Sequence, residues 1–141
     1  MGIAQCAETA KERTVIVSLD KDLLMIPGLH YSWHIEGGPA TNRWVREARE
    51  VEISDIEGLK YFYTQLLVGD PSDNLKGVPG IGKVKASKML AGDLTEEEMF
   101  TIVRDAYPSM EAMLLNGQCL WIQRQPNQIW EFPFESNYSG E

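Results

Sequence analysis

Residues 69–90, with the sequence GDPSDNLKGVPGIGKVKASKML, constrain the fold of this chain more than any other stretch. The first part, GDPSDN, places two carboxylates, Asp70 and Asp73, directly after a helical pattern that stops at its glycine. The second part, GVPGIG, is a turn punctuated by glycines, which tolerate positive φ angles and a close approach of other groups to the backbone. A helical pattern resumes near Gly82, so the stretch predicts a helix, a tight turn and a second helix.

The two parts of this stretch favour ligands of opposite charge. Neighbouring carboxylates supply the hard oxygen atoms that divalent cations prefer. The glycine turn can present bare backbone N–H groups to a phosphate, with the positive end of the following helix behind them. No acidic residue lies between Gly77 and Leu90, although the chain has a formal net charge of -8. The lysines that surround the turn are Lys76, Lys83, Lys85 and Lys88.

A second pair of carboxylates, Asp20 and Asp22, follows the segment TVIVSL at residues 14–19. This segment is continuously apolar and rich in β-branched residues, which predicts a strand covered on both faces inside a parallel sheet. Open α/β sheets bind ligands at the carboxyl ends of their strands, so the position of the two acids favours function. Without further context, two acids at i and i+2 more often form a solvated turn.

The predicted fold class is α/β, with a partial parallel sheet and helices. Three further segments, residues 30–35, 49–53 and 128–132, have the mixed composition of edge or hairpin strands. None of them has the character of residues 14–19. We therefore expect the parallel neighbours of that strand to come from missing chain or from a partner.

Helix start signals recur along the chain. Capping boxes are present at two places, Ser54 with Glu57 and Thr95 with Glu98. In each box the first side chain can bond the backbone N–H of the last residue, and the last side chain can bond the N–H of the first. Ser109 is expected to cap a further helix, and residues 2–13 carry apolar side chains at helical spacing.

Composition narrows the class of protein. A strongly acidic chain does not coat nucleic acid non-specifically, so any contact with DNA must be local. Cys6 and Cys119 lie far apart and lack CxxC spacing, so neither a zinc site nor a disulfide framework is indicated. No apolar run approaches the roughly 20 residues of a membrane span, and no signal-peptide pattern is present. These features predict a cytoplasmic protein without membrane contact.

GDPSDN followed by GVPGIG, with SLDKDLL about fifty residues upstream, resembles the helix-three-turn signature of the structure-specific 5′ nucleases. That family includes phage 5′-to-3′ exonucleases, flap endonucleases and the 5′-nuclease domain of bacterial DNA polymerase I. The glycine turn alone is a weak signal, because helix-hairpin-helix turns occur in many DNA-binding modules. The combination of the three motifs leaves few other families to consider.

The resemblance implies a site and a substrate. Asp20, Asp22, Asp70 and Asp73 correspond to the carboxylates that hold the second of two divalent metals, Mg²⁺ or Mn²⁺, for hydrolysis of DNA phosphodiesters. The implied substrate is duplex or flap DNA, and a K⁺ ion is expected to bridge the turn to the DNA backbone. The residues expected to contact DNA are Lys76, Gly77, Val78, Gly80, Ile81, Gly82, Lys83 and Lys85.

The resemblance covers nearly the whole chain but only the C-terminal half of the family's domain. The strand and acidic cluster that hold the first metal, and the helical arch, have no counterpart. On this basis residues 1–53 belong to the catalytic core, residues 54–134 form the helix-three-turn region, and residues 135–141 are a disordered tail. The implied location is the cytoplasm of a bacterium or of a phage-infected cell.

Three functions remain open on the sequence. The first is a metal-dependent 5′-to-3′ exonuclease or flap endonuclease, with doubtful activity in this chain alone because half of the metal ligands are absent. The second is a non-catalytic module that binds duplex DNA. The third is a fragment that becomes active with an N-terminal half supplied on a separate chain, or that associates with itself.

Overall fold

The computed structural model describes residues 14–35, 37 and 47–134. The predicted helix at residues 2–13 and the predicted tail at residues 135–141 lie outside these residues. The chain divides into two compact units, Met1–Tyr61 with Ile122–Asn127, and Phe62–Trp121 with Gln128–Glu141.

The first unit contains a mixed three-stranded sheet. β1 (Val15–Val17) pairs in parallel with β2 (Gly28–Ser32), which pairs antiparallel with β3 (Arg49–Ile53). The α/β prediction is therefore confirmed in its coarse form, as a mixture of helices and small sheets.

The prediction that no later segment supplies a parallel neighbour for β1 is wrong. Parallel strands usually need a long crossover, but here residues 18–27 make the connection with a single 3₁₀ helix, Lys21–Met25. The predicted strand at residues 30–35 accordingly begins earlier, at Gly28, and ends at Ser32. Full cover of β1 is not observed either, since Ile16 is buried while Val15 and Val17 are 48% and 58% exposed.

The 3₁₀ helix of the first unit is fixed at its C-terminal end. Met25 and Ile26 are almost completely buried. His30 Nε2 lies 2.7 Å from the carbonyl oxygen of Ile26, and Arg124 Nη2 donates to the carbonyl oxygen of Met25 at 2.9 Å. A β-carbon on Gly58 would lie 2.5 Å from that same Met25 oxygen, so only glycine allows the backbone to approach so closely.

Helix α1 (Asp55–Val68) begins where the first capping box predicts. The Ser54 N–H donates to the Glu57 carboxylate at 2.8 Å, and the Glu57 N–H donates to Ser54 Oγ at 3.2 Å. Hydrogen bonds to the Glu57 carboxylate, from the Ser54 backbone N–H first and from the Ser54 side chain second, lower the pKa of Glu57 because they stabilise its ionised form. The boundary between the two units falls within α1, after Tyr61.

The second unit consists of helices and a small ribbon. Two short strands, β4 (Gly69–Asp70) and β5 (Leu75–Lys76), pair antiparallel. Three helices follow, α2 (Lys83–Met89), α3 (Glu96–Ala106) and α4 (Met110–Leu120). The second capping box is confirmed, with bonds of 2.8 and 3.2 Å between Thr95 and Glu98, and Ser109 caps α4 as predicted.

The core of the second unit is aromatic. Phe62 stands edge-on to Tyr63 and Trp121 and is tilted against Trp130, with ring centroids 5.0 to 5.3 Å apart. The predicted strand at residues 128–132 does not form. Trp130 is instead buried against α4, where its ring lies 2.2 Å from the position of a β-carbon on Gly117. The conformation of residues 128–132 is therefore set by packing of the Trp130 ring and not by the strand propensity of the segment.

Two buried tyrosines should make the fold sensitive to alkali. Tyr63 is fully buried and donates to Glu96 Oε1 at 3.2 Å; burial, followed by the charge of Glu96, raises its pKa. Burial also raises the pKa of Tyr107. An unfolded tyrosine titrates near about 10. The folded state therefore keeps its full stability below that pH and loses it as the pH rises further.

We expect the free energy of unfolding to fall above pH of about 10, by up to roughly 1.4 kcal/mol per pH unit for each buried tyrosine. Urea unfolding at a series of alkaline pH values measures this slope. Tyr63→Phe should reduce the slope, whereas Tyr61→Phe, at a side chain that is 41% exposed, should leave it unchanged. An equal slope in both variants would contradict the assignment.

Candidate functional site

In the first unit, Asp20 follows β1 and caps the 3₁₀ helix. Its carboxylate accepts the Asp22 N–H at 3.0 Å, and its own N–H donates to Ser18 Oγ at 3.0 Å. Asp20 is exposed and Asp22 is half-buried. The carboxylate is thus held by local backbone contacts at the carboxyl end of a strand, as the sequence predicts.

A cleft of about 370 Å³ lies beside Asp20, at the carboxyl ends of β1 and β2. Its walls are formed by β2, β3, the 3₁₀ helix and the segment that joins β1 to that helix. Its polar lining residues include Ser18, Asp20, Lys21, His30, Ser32, Glu47 and Arg49. Asp22 is not one of the residues that line it.

In the second unit, Asp70 ends β4 and caps another 3₁₀ helix, Pro71–Asp73. Its carboxylate accepts the Ser72 N–H at 2.9 Å, and the residue is only 6% exposed. Asp73, within the 3₁₀ helix, is exposed. Asn74 then adopts the left-handed conformation, with φ of 56°, and returns the chain to β5.

The two acidic segments share one local design. In each, an aspartate at the end of a strand (Asp70) or three residues after it (Asp20) accepts the N–H of the second residue after it, and a 3₁₀ helix carries the other aspartate. Capping alone explains why Asp20 and Asp70 occupy these positions. It leaves most of the acceptor capacity of each carboxylate for another partner, since an ionised carboxylate offers about four lone-pair sites.

The predicted metal ligands occur as two pairs in different units. Among residues 14–35, 37 and 47–134, no group of three or more His, Cys, Asp or Glu side chains is placed to hold a metal ion. The metal site therefore stays a prediction.

The predicted DNA-contacting turn has a buried base and an exposed tip. Val78 is 9% exposed and its N–H donates to the carbonyl oxygen of Leu67 at 2.9 Å, so its side chain belongs to the core. Gly80 is exposed and has a φ of +76°, which only glycine adopts without strain. Gly77 and Ile81 are half-buried, and Gly82 is exposed.

The lysines around this turn point to solvent. Ala86 and Leu90 face the core from α2 and the residue after it, as the helical spacing predicts. Val84, between two lysines, is 72% exposed. The exposed lysines are Lys76, Lys83, Lys85 and Lys88.

A hydrogen-bond network that the sequence did not indicate supports the turn and the acidic segment. The Tyr107 hydroxyl donates to the carbonyl oxygen of Leu66 in the last turn of α1. The Asn116 amide donates to Tyr107 Oη at 3.1 Å and to the carbonyl oxygen of Lys76 at 2.9 Å. α3 and α4 thereby hold both the end of α1 and strand β5. A tyrosine before proline and an asparagine within a helix give no local signal of such contacts.

Two curated proteins are similar to this chain in sequence. A 5′-3′ exonuclease of Streptomyces coelicolor is 41% identical in an alignment of 85 residues that covers 56% of this chain and 28% of that protein. A thermostable DNA polymerase I of Thermus thermophilus is 27% identical in an alignment of 139 residues that covers 96% of this chain and 16% of that protein. The chain is thus related to 5′-3′ exonucleases and spans less than a third of either relative.

Neither a protein-family model nor a solved structure matches the chain. Of the helices that the structure describes, none has the length and apolar character needed to cross a membrane.

The glycines of the turn should differ sharply in their tolerance of a methyl group. A β-carbon on Gly77 would lie 2.3 Å from the Leu67 carbonyl oxygen, a backbone atom that cannot rotate away, whereas a β-carbon on Gly82 meets nothing within 4 Å. We expect Gly77→Ala to destabilise the protein by at least about 2 kcal/mol, and Gly82→Ala to change stability by less than about 1 kcal/mol. Urea unfolding of the two variants checks this. Similar stabilities would show that the turn does not press against α1.

Proposed function

We propose that this chain is part of a metal-dependent 5′-to-3′ exonuclease or flap endonuclease that hydrolyses DNA phosphodiesters. The observation that carries the proposal is the repeated acidic segment, Asp20 with Asp22 and Asp70 with Asp73, in a chain related to 5′-3′ exonucleases. In each segment one carboxylate is oriented by the backbone at the end of a strand.

The chemistry of these residues fits a hard divalent cation. Asp70 is nearly buried, yet its carboxylate has a single hydrogen bond within the part of the chain that the structure describes. A buried charge with so few partners favours a counter-ion. Carboxylate oxygens are the ligands of Mg²⁺ and Mn²⁺, which when bound activate water and stabilise negative charge on a phosphodiester. Each pair of aspartates would supply carboxylate ligands to such a cation.

For DNA binding, we propose that the end of α1, the turn at residues 77–82 and α2 form a helix-hairpin-helix that contacts the phosphates of duplex DNA. The exposed Lys76, Lys83 and Lys85 supply positive charge, and Gly80 and Gly82 leave the backbone accessible. Contacts of this kind bind without reading sequence. Because the Val78 side chain is buried, this residue would contact DNA only through its backbone.

A non-catalytic DNA-binding module is the second candidate. It is favoured by the capping bonds of Asp20 and Asp70, which give both carboxylates a structural role without a metal. The third candidate is a fragment that requires a separate N-terminal half. Metal binding distinguishes the first candidate from the second.

We expect Mn²⁺ to bind the protein and to broaden the NMR signals of residues near Asp20 and Asp70. Asp70→Asn keeps the oxygen that accepts the Ser72 N–H but removes the charge, and should weaken Mn²⁺ binding at that segment by at least about tenfold. Asp20→Asn is the equivalent change in the first unit. Asp93→Asn, at an exposed loop residue, is the control and should have no effect.

The 141-residue chain alone should release few nucleotides from a 5′-labelled duplex in Mg²⁺ or Mn²⁺, because a two-metal displacement needs more ligands than these four aspartates. Rapid release that stops with EDTA and in Asp70→Asn would show instead that the chain is a complete enzyme. Absence of Mn²⁺ binding would favour the non-catalytic module.

We expect the lysine turn to bind duplex DNA weakly and with strong salt dependence. Replacing Lys83 and Lys85 together by Ala should flatten the plot of log affinity against log salt by about one to two units. Arg104→Gln is the matched control, because Arg104 is paired with Asp105 at 2.9 Å on α3. Titrations against two unrelated duplexes at several salt concentrations decide the question. An unchanged slope in the double variant would remove the turn from the DNA interface.

A further inference from the structure

The cleft in the first unit is lined on one side by a row of polar side chains across the sheet. The Ser18 N–H donates to the carbonyl oxygen of Tyr31 at 3.0 Å, which continues the register of β1 and β2 and sets Ser18 beside Ser32. Ser32 is in turn paired with Arg49 of β3. Side chains paired in this way project from the same face of a sheet. The cleft therefore receives two hydroxyls and a guanidinium from the residue after β1, the end of β2 and the start of β3.

The same face carries a buried row behind the polar one. Ile16 and His30 are 5% and 6% exposed, and they are paired with each other and with Val51 of β3. Because strand side chains alternate, the two rows project to one side. The polar row thus lies next to a largely buried one.

We propose that this cleft binds a single phosphate group through Arg49, Lys21 and the hydroxyls of Ser18 and Ser32. The proposal rests on the function proposed above and adds a phosphate subsite beside Asp20. The donors are complementary to an oxyanion, because a guanidinium and an ammonium offer charge-assisted hydrogen bonds and the hydroxyls offer neutral ones. Ser18 Oγ accepts the Asp20 N–H, so its own O–H remains available to donate. The Ser32 O–H donates to the carbonyl oxygen of Arg49 at 3.5 Å, a long hydrogen bond that a phosphate oxygen would replace.

The two acidic residues that line the cleft, Asp20 and Glu47, each have one contact of their own. Glu47 is at the rim, with a side chain that is 85% exposed, and its carboxylate lies 3.5 Å from His34 Nδ1. The Asp20 carboxylate accepts the Asp22 N–H. Arg49 and Lys21 are exposed at the rim and supply the positive charge that an incoming anion meets.

Lys21 is carried by a segment whose position is fixed. The 3₁₀ helix that begins at Lys21 ends in the buried Met25 and Ile26, whose carbonyl oxygens are bound by Arg124 and His30. A donor on a fixed segment binds with less loss of conformational entropy than one on a mobile loop. The cleft volume of about 370 Å³ is also larger than a phosphate requires, so the phosphate of a nucleotide can enter with its sugar.

The test uses the amide NMR spectrum of the full chain. Inorganic phosphate should shift the signals of Ser18, Ser32 and Arg49 in a saturable manner. A chloride salt at the same ionic strength should not. A short single strand with a 5′-phosphate and the same strand with a 5′-hydroxyl then distinguish the two sources of phosphate. Tighter binding of the phosphorylated strand identifies a terminal phosphate, and equal binding with the same shifts identifies an internal phosphodiester.

Arg49→Gln and Lys21→Gln should each weaken binding of the single strand by about tenfold. Each should also flatten the plot of log affinity against log salt by roughly 0.7. Arg104→Gln and the Lys83 and Lys85 double variant should leave the shifts at Ser18 and Ser32 unchanged. The proposal is overturned if phosphate moves none of these signals, or if both cleft variants bind as the parent does.

The two proposals fail in different ways. If phosphate shifts none of the NMR signals of the cleft residues while Mn²⁺ and duplex DNA bind normally, only the phosphate subsite is rejected. If phosphate shifts those signals but Mn²⁺ does not bind, the metal-dependent nuclease is rejected and the phosphate subsite is retained. Because the phosphate titration uses the unaltered protein, its result does not depend on the folding of any variant.

Discussion

The C-terminal end of α1 is the point on which the second unit depends. The last carbonyl groups of a helix have no partner within the helix, and here two of them find partners far away in sequence. Leu66 is bound by the Tyr107 hydroxyl, and Leu67 by the Val78 N–H. A third bond, from Asn116 to Lys76, holds the returning strand. These bonds fix the chain on either side of the segment that carries Asp70 and Asp73.

Close packing strengthens this arrangement. Gly69 and Gly77 lie against each other so tightly that a β-carbon on Gly69 would lie 2.4 Å from the Gly77 nitrogen. The acidic segment and the lysine turn are therefore parts of one rigid loop, although one favours cations and the other favours phosphates. A nuclease needs its contacts to a cation and its contacts to phosphates at a fixed distance from each other. The proposed function assigns both to this loop.

The distribution of charge fits the same interpretation. The chain is acidic overall, with a net charge of -8, yet the turn and α2 expose only basic and neutral side chains between Gly77 and Leu90. Such a chain is repelled by nucleic acid except where the basic surface meets it. The proposed cleft contacts, through Arg49 and Lys21, would add a second local attraction of the same kind.

Local sequence determined where helices begin, because both capping boxes use residues three positions apart. It also determined that the lysines of α2 face solvent, because this follows from helical spacing. It also located Asp20 after a strand, whereas it placed Asp70 at the end of a helix and gave no sign of β4. The tertiary structure decided which segments pair and which side chains meet. Three results required it: the parallel pairing of β1 with β2, the insertion of Trp130 against Gly117 in place of a strand, and the bond from Tyr107 to α1. Each joins residues distant in the chain, and a contact of that kind leaves no periodic or local pattern in the sequence because its energy depends on the packing of the whole unit.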